Sequence, residues 1–273
     1  MELKLWQVDA FAEKPFEGNP AAVVPLADWL SDEVMQNIAA ENNLSETAFF
    51  VPDPSAGAGN FRLRWFTPSC EVPLCGHATL ASAYVVLNHL QPQLSRVAFA
   101  TQSGTLTVER AENGYFAMAL PAYAAEPHPE ADDFREALEE ALSLEPLEVF
   151  KANYALAVFA SVEEILQAES DGILADTLEE FDELGVILTA AGEDTGFDFV
   201  SRFFVPGRGV AEDPVTGAAH AALVPFWAKR LGKPKLLARQ LSARGGTLLC
   251  EEQGERVLLK GKVAPYLEGV IRV

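Results

Sequence analysis

Two segments of this sequence are apolar at every helical position and carry no formal charge. They are Gly76–Leu87 (GHATLASAYVVL) and Thr216–Ala228 (TGAAHAALVPFWA), with histidine counted as neutral. A helix that is apolar all round must be buried all round. Short runs typical of strands precede and follow each segment. The simplest packing is a curved antiparallel sheet wrapped around one central helix in each half, with helices near 76–88 and 215–229.

The two halves share one local order of features. In each half an aromatic strand ends in a loop with proline, at Trp65–Pro68 and at Phe203–Pro206. A glycine, Gly76 or Gly217, then opens the apolar helix. This repeat predicts two similar α+β domains.

We expect the first domain to span residues 1–121 and the second to span 122–263. The segment 122–133 is rich in proline and acidic residues and is expected to connect them. Pro225 is expected to kink or shorten the second helix, because proline lacks the N–H that a helix interior uses.

The charge balance excludes several classes of partner. Twenty Lys and Arg face forty Asp and Glu, which gives a net charge of −20. Nucleic acids and anionic membranes need a basic surface. No apolar stretch is long enough to span a bilayer, and three cysteines do not suit a secreted disulfide scaffold. We expect a cytoplasmic protein with no nucleic-acid or membrane partner.

The two helix starts are candidate anion sites. A helix N-terminus offers unpaired N–H groups and a partial positive charge, and glycine allows a ligand to approach the backbone. Facing each other, the starts at Gly76 and Gly217 would bind a carboxylate or phosphate. The alternative is that both glycines only form tight turns before buried helices.

Four side chains near these features suit proton chemistry, and each has a structural alternative. Cys75 and His77 offer a thiol and an imidazole for proton transfer. The structural alternative is that Cys75 is a small buried residue and that His77 caps the loop. Glu46 heads an apolar strand, as a solvated end or as a partly buried carboxylate with a raised pKa. Asp213 precedes the second helix, where acids commonly cap.

Other signals favour structural roles or are missing. His220 lies one turn into the second helix, and we expect a satisfied core histidine there. Cys70, Cys75 and His77 lack a clear fourth metal ligand, and no nucleotide-binding motif occurs. We therefore expect no metal and no organic cofactor.

Several motifs in a fixed order resemble the PhzF family of phenazine-biosynthesis-like isomerases. The motifs are Val8–Phe11, Gly18–Val23, Asn43–Thr47, Arg64–Pro68, Cys75–Thr79, Glu212–His220 and Gln240–Gly246. They span nearly the whole chain, except for about residues 125–195.

The resemblance implies the diaminopimelate-epimerase-like fold. In that fold each of two domains is a β-barrel around a central helix, the site lies between the domains, and the final strand, about 264–273, returns to the first domain. It also implies a homodimer. The characterised activity of the family is cofactor-free isomerisation of a dihydro-hydroxyanthranilate, in which a carbon acid loses a proton and a proton returns elsewhere.

The resemblance also implies roles for individual residues. Glu46 is the acid/base, and His77 and Asp213 complete the catalytic set. The substrate-binding residues, which hold a small carboxylate, are Asn19, Gly76, Thr216, Gly217 and Ala218. Many relatives have serine at the position of Ala218, where this chain offers only backbone N–H groups.

Three classes of function follow from these residues. The leading class is a PhzF-like isomerase with Glu46 as its base. The second is an epimerase or racemase that uses Cys75 with Asp213 or Glu46 on two faces of a stereocentre. The third is a non-catalytic binding protein with the same fold, which the joint presence of Glu46, His77 and Asp213 disfavours.

Overall fold

Both charge-free segments form buried helices in the computed structural model, which describes residues 1–170, 172–208 and 210–273. One helix spans Gly76–Val85 and the other spans Gly217–Leu231. The chain divides into two units, Met1–Ala119 with Lys260–Val273, and Leu120–Leu259. The fold is α+β, as predicted, and each unit contains one of these helices.

The first unit is built mostly of strands. Its elements up to the buried helix are β1 (Glu2–Ala10), β2 (Asn19–Pro25), α1 (Asp32–Asn42), β3 (Glu46–Pro52), β4 (Asn60–Phe66), β5 (Glu71–Val72) and α2 (Gly76–Val85). A short π-helix, Val86–Leu90, continues α2 toward the predicted end near residue 88. The strands β6 (Arg96–Thr101), β7 (Gly104–Arg110) and β8 (Phe116–Pro121) follow.

The sheet of the first unit surrounds α2. Strand β1 pairs antiparallel with β2, and the pairs β3–β4, β6–β7 and β7–β8 are also antiparallel. Two pairs, β2–β3 and β4–β6, are parallel. A parallel pair needs a crossover connection, which α1 supplies for the first and α2 for the second. The alternation of residues along each strand did not reveal these parallel pairs.

The second unit contains more helix. Its elements are β9 (Glu126–Pro127), α3 (Ala131–Leu142), β10 (Glu148–Lys151), β11 (Ala155–Val158), α4 (Val162–Gln167), α5 (Gly172–Glu180), β12 (Val186–Ala191), β13 (Phe199–Val205), β14 (Val210–Glu212), α6 (Gly217–Leu231), β15 (Lys235–Gln240) and β16 (Gly246–Gln253). The pairs β11–β12 and β13–β15 are parallel, and β10–β11, β12–β13 and β15–β16 are antiparallel.

The last two strands are β17 (Arg256–Gly261) and β18 (Val263–Arg272). Strand β18 belongs to the first unit and pairs antiparallel with β1, from Glu2 opposite Arg272 to Ala10 opposite Val263.

Of the two effects expected of Pro225, a kink or a shortened helix, the shortening does not occur, because α6 runs through Pro225 to Leu231. Proline removes the hydrogen bond to the carbonyl four residues earlier, which belongs to Ala221. That carbonyl accepts a hydrogen bond from the backbone N–H of Tyr123 instead, at 3.0 Å. A segment from outside the helix therefore satisfies the group that proline leaves without its usual partner.

Among the residues that the structure describes, no helix is long and apolar enough to cross a membrane.

Candidate active site

Four predicted site residues of the first unit lie together, and we call them the imidazole cluster: Asn19, Glu46, Cys75 and His77. Asn19 and Glu46 are the first residues of β2 and β3, which run parallel with Ala21 opposite Glu46, so both strands start at one edge of the sheet. Cys75 is the N-cap of α2, which packs against both strands. His77 is the second residue of that helix.

His77 is at the centre of the imidazole cluster. Its Nε2 lies 3.1 Å from Oε2 of Glu46. Its Nδ1 lies 3.1 Å from the Nδ2 of Asn19 and 3.5 Å from the Sγ of Cys75. The ring therefore contacts a carboxylate on one edge, and an amide and a thiol on the other.

The surroundings of His77 favour its charged form. Burial by itself lowers the pKa of this imidazole, but the negative charges of a Cys75 thiolate and of the Glu46 carboxylate raise it well above the ordinary 6.5. The Cys75 thiol is protonated at neutral pH because its own pKa is about 11. At neutral pH the charge that favours the imidazolium is therefore the Glu46 carboxylate.

Cys75 is a neutral thiol at neutral pH. Burial, followed by the nearby Glu46 carboxylate, raises its pKa to about 11. The lowered pKa expected for a thiol at a helix start does not occur, since burial and a neighbouring negative charge outweigh the helix terminus. In this state Cys75 donates a proton rather than accepts one.

Glu46 is a partly buried carboxylate rather than a solvated strand end. Its side chain is 18% exposed, whereas that of His77 is 5% exposed. Glu46 therefore keeps some access to solvent or to a small molecule. Thr47 follows Glu46 in β3, and its Oγ1 accepts a hydrogen bond of 3.0 Å from the side chain of Asn42 at the end of α1.

Donor atoms of Glu46, Cys75 and His77 lie within 4.8 Å of one another, which is close enough to consider a metal centre. However, the imidazole presents Nδ1 to the thiol and Nε2 to the carboxylate. A metal ion binds only one of these two nitrogens. As arranged, the three donors do not point at a common centre, which fits a proton-handling cluster better than a metal-binding one.

The second unit brings Asp213 and Thr216 together before α6, with Gln240 at the end of β15. We call these three residues the amide cluster. The Thr216 hydroxyl and the Oδ2 of Asp213 share a short hydrogen bond. Gln240 is fully buried, and its side chain contacts the backbone on both sides of the Asp213–Thr216 loop. Thr216 is the N-cap of α6.

Neither helix start has a side-chain cap. Cys75 and Thr216 make no side-chain hydrogen bond to the first turn of α2 or α6. Gly76 and Ala218 are partly exposed within otherwise buried first turns. These two starts therefore keep the N–H groups and the positive terminal charge that bind a carboxylate.

His220 is a core histidine, as predicted, but the prediction that it is satisfied holds for one ring nitrogen only, because Nε2 has no hydrogen-bond partner among the described residues. It is fully buried, and its Nδ1 lies 2.8 Å from the carbonyl oxygen of Thr216. Burial lowers its pKa to about 4, so the ring is neutral at neutral pH.

A forked ion pair just ahead of each helix start was not predicted from the sequence. Arg64 donates to both carboxylate oxygens of Glu71 at 2.7 and 2.6 Å. Arg202 does the same to Glu212 at 2.7 and 2.9 Å. Each glutamate lies five residues before the helix glycine, and each arginine lies over an aromatic ring two residues further along its strand. The repeated Arg-x-Phe pattern was the sequence signal for these pairs.

Comparison with known proteins gives consistent matches along the whole chain. The family model described as PhzC-PhzF, phenazine biosynthesis-like protein, matches residues 8–269. An uncharacterized isomerase of Pseudomonas aeruginosa is 48% identical over 279 residues, and the alignment covers all of both chains. The crystal structure of a PhzF family protein from Enterococcus faecalis has a TM-score of 0.89 at 40% identity, with both chains fully covered.

A more distant structure shares the fold alone. A hydroxyproline epimerase from Agrobacterium vitis has a TM-score of 0.65 at 12% identity, covering 99% of this chain and 92% of its own. The fold is therefore diaminopimelate-epimerase-like, as predicted.

Proposed function

This chain belongs to the PhzC-PhzF family of phenazine biosynthesis-like proteins and is an isomerase, and on that premise we propose that it transfers a proton between two carbons of a small carboxylic acid. Glu46 removes the proton from the carbon acid. His77 and Asp213 complete the set of groups that hold and return protons. The reaction in this proposal uses no organic cofactor and no metal.

The ion pair between Glu46 and His77 is the observation that carries this proposal. It engages Oε2 of the carboxylate, so we assign the uptake of the substrate proton to Oε1. The pKa of His77 lies well above its ordinary value while Glu46 is a carboxylate, so an imidazolium lies beside the base as it takes up the proton. A fixed charge of this kind stabilises negative charge as it develops on an enolate-like intermediate.

The substrate carboxylate is proposed to bind at helix starts. The first turns at Gly76 and Gly217 have no side-chain cap, and Ala218 adds no hydroxyl that would compete for their N–H groups. Asn19 and Thr216 flank these turns as further substrate-binding residues. In a protein with a net charge of −20, such local positive ends are what an anionic substrate needs.

A deuterium-exchange screen tests the proposal. The protein is incubated in D₂O with two groups of acids: cyclic and linear acids with conjugated double bonds, and α-amino or α-hydroxy acids with an acidic α-carbon. Mass spectrometry and NMR then show which acid gains deuterium, and at which carbon. We expect uptake in the first group with a shifted double bond. A conversion that proceeds without any solvent deuterium uptake, or no exchange above that of heat-denatured protein, contradicts the proposal.

The second candidate is an epimerase that uses Cys75 as one of two groups on opposite faces of a stereocentre. The observation in its favour is the thiol at the N-cap of α2, 3.5 Å from the His77 ring. With a pKa of about 11 the thiol suits the proton-donating face only. Deuterium at the α-carbon of an amino or hydroxy acid, together with inversion of configuration, would favour this candidate over the isomerase.

The family resemblance also leads us to propose a homodimer. Light scattering of the purified protein at several concentrations would give a mass about twice the 29.6 kDa of the chain. A constant mass equal to that of one chain contradicts this assignment.

A further inference from the structure

The orientation of the Gln240 amide is fixed by two backbone groups. Its Oε1 accepts from the backbone N–H of Thr216 at 2.8 Å, and its Nε2 donates to the backbone carbonyl of Asp213 at 2.8 Å. An N–H only donates and a carbonyl only accepts. The amide therefore has one orientation here, although amide orientations usually need to be inferred from several partners.

That orientation determines where the Thr216 hydroxyl proton points. The Nε2 of Gln240 also lies 3.2 Å from the Oγ1 of Thr216, and an amide nitrogen only donates. The hydroxyl oxygen is thus an acceptor toward Gln240. Its own proton is left for its other close neighbour, the carboxylate oxygen Oδ2 of Asp213. The three side chains form a chain of hydrogen bonds with one direction, from amide to hydroxyl to carboxylate.

We infer that Gln240 is a positioning residue for proton transfer, which acts through Thr216 to keep Oδ2 of Asp213 hydrogen-bonded and so to favour the charged form of this carboxylate. The inference rests on the proposed function, in which Asp213 handles a proton. It assigns a role to a residue of the Gln240–Gly246 motif, for which the sequence alone indicates no role.

The rest of this motif holds the same loop. Ser242 Oγ donates to the carbonyl oxygen of Pro214 at 2.8 Å and accepts from the backbone N–H of Gly245 at 3.0 Å. Gly245 has a φ of +65°, and a Cβ there would lie 2.9 Å from an Arg239 guanidinium nitrogen. The turn after β15 therefore braces the loop at Pro214, between the two ends that Gln240 contacts.

A purely structural role for Gln240 would make a different prediction. A brace for the loop affects stability and substrate affinity, but not the protonation of Asp213 once the loop is folded. The directed chain instead stabilises the charged carboxylate through the hydroxyl donor, because a hydrogen bond to the charged form favours that form. The titration of Asp213 thus separates the two roles.

The test follows the carboxyl carbon of Asp213 by NMR in protein labelled with ¹³C-aspartate, with the signal assigned by its loss in Asp213→Asn. Thr216→Val removes the hydroxyl and Thr216→Ser restores it. Gln240→Glu keeps the shape of the side chain, but its carboxylate accepts the hydroxyl proton and draws it away from Asp213. Gln253→Glu adds the same charge at an exposed position of the same unit and is the control.

We expect the titration midpoint of Asp213 to move to higher pH in Thr216→Val and Gln240→Glu, and to stay in place in Thr216→Ser and Gln253→Glu. With the acid found by the deuterium screen, kcat should fall roughly ten- to a hundredfold in the first two variants. This range corresponds to the loss of one hydrogen bond to a charged group.

Two results would overturn the inference. One is an unchanged midpoint in both Thr216→Val and Gln240→Glu. The other is a shift in Thr216→Val that Thr216→Ser does not reverse. The NMR titration needs no substrate, so it decides the inference even when no acid exchanges deuterium, which would count against the proposed function alone. If the wild type is active and the titration midpoint of Asp213 is the same in Thr216→Val and Gln240→Glu as in the wild type, the result counts against the inference alone.

Discussion

Acidification should destabilise the second unit through His220. This ring is fully buried and its pKa is lowered to about 4, whereas in the unfolded chain it has the ordinary value of 6.5. The folded state therefore favours the neutral ring. Its contribution to stability is present above about pH 6.5 and is lost as the pH falls toward 4, because the unfolded chain takes up the proton first.

The size of the effect follows from the difference between the two pKa values. One pKa unit corresponds to about 1.4 kcal/mol, so the gap between 6.5 and about 4 corresponds to about 3 kcal/mol of unfolding free energy. Full burial of the ring makes solvent screening small. A loss of this size is a large fraction of the stability of a typical domain.

The assay measures urea unfolding from pH 7 to pH 4 in protein labelled with 5-fluorotryptophan. Trp227 is the one tryptophan of the second unit, and it stacks on Phe199 with ring centroids 5.8 Å apart, so its ¹⁹F signal reports that unit. His220→Gln removes the titrating group but keeps a polar side chain. His89→Gln changes an exposed histidine and is the control.

We expect the loss of unfolding free energy between pH 7 and pH 4 to be about 3 kcal/mol smaller in His220→Gln than in the wild type or His89→Gln. Carboxylates that titrate in this range affect all three proteins alike. The reasoning is refuted if the three pH dependences are parallel.

Three further changes have expected outcomes. Gly18→Ala should lower the unfolding free energy by about 1–3 kcal/mol in urea titrations, because Gly18 has a φ of +64° and a Cβ would lie 2.1 Å from a carbonyl oxygen of β1. An unchanged unfolding free energy would contradict this. Arg202→Lys should lower the unfolding free energy by about 1–2 kcal/mol more than Arg96→Lys, because lysine cannot make both hydrogen bonds of the forked pair but can replace arginine in an exposed ion pair. Equal losses of unfolding free energy in the two variants would refute this. Iodoacetamide at pH 8 should label exposed Cys70 well before buried Cys75, whose pKa is about 11, and peptide mass spectrometry showing equal rates would disprove this.

The central helices were predictable because their sequences allow only one environment. Every position from His77 to Ala83 in α2 is buried, as a charge-free helix requires. The start of α1 also follows from local sequence, because serine is a preferred N-cap residue and the Ser31 side chain accepts from the backbone N–H of Val34. Local chemistry alone determines these features.

Other features depend on partners far along the chain. The carbonyl oxygen of Ala221 accepts its hydrogen bond from Tyr123, about a hundred positions earlier in the sequence. The sequence near Pro225 therefore could not reveal that α6 continues. The sequence of α5 gives only a weak helix signal, because the helix is short and buries few residues. The acidic run 179–183 has the composition of a solvated face, but Glu183 is buried and lies 2.8 Å from the Lys151 ammonium.

The proximity of three candidate residues in the first unit was predictable, but their protonation states were not. The motifs placed Glu46, Cys75 and His77 near one another by family resemblance, and the structure of the first unit brings them within contact distance. The protonation of the thiol depends on burial and on the distance to Glu46, neither of which a motif contains. Gln240 stood in a motif as well, but only its two backbone partners reveal its orientation.

The most direct measurement compares Glu46→Gln with Cys75→Ala in the deuterium-exchange assay, using the acid that the wild type labels and Glu41→Gln, at an exposed acid of α1, as the control. If Glu46 is the base, Glu46→Gln should lose solvent exchange by roughly two to four orders of magnitude. Cys75→Ala should keep much of it, because the thiol is neutral with a pKa of about 11. An inactive Cys75→Ala together with an active Glu46→Gln would contradict the account.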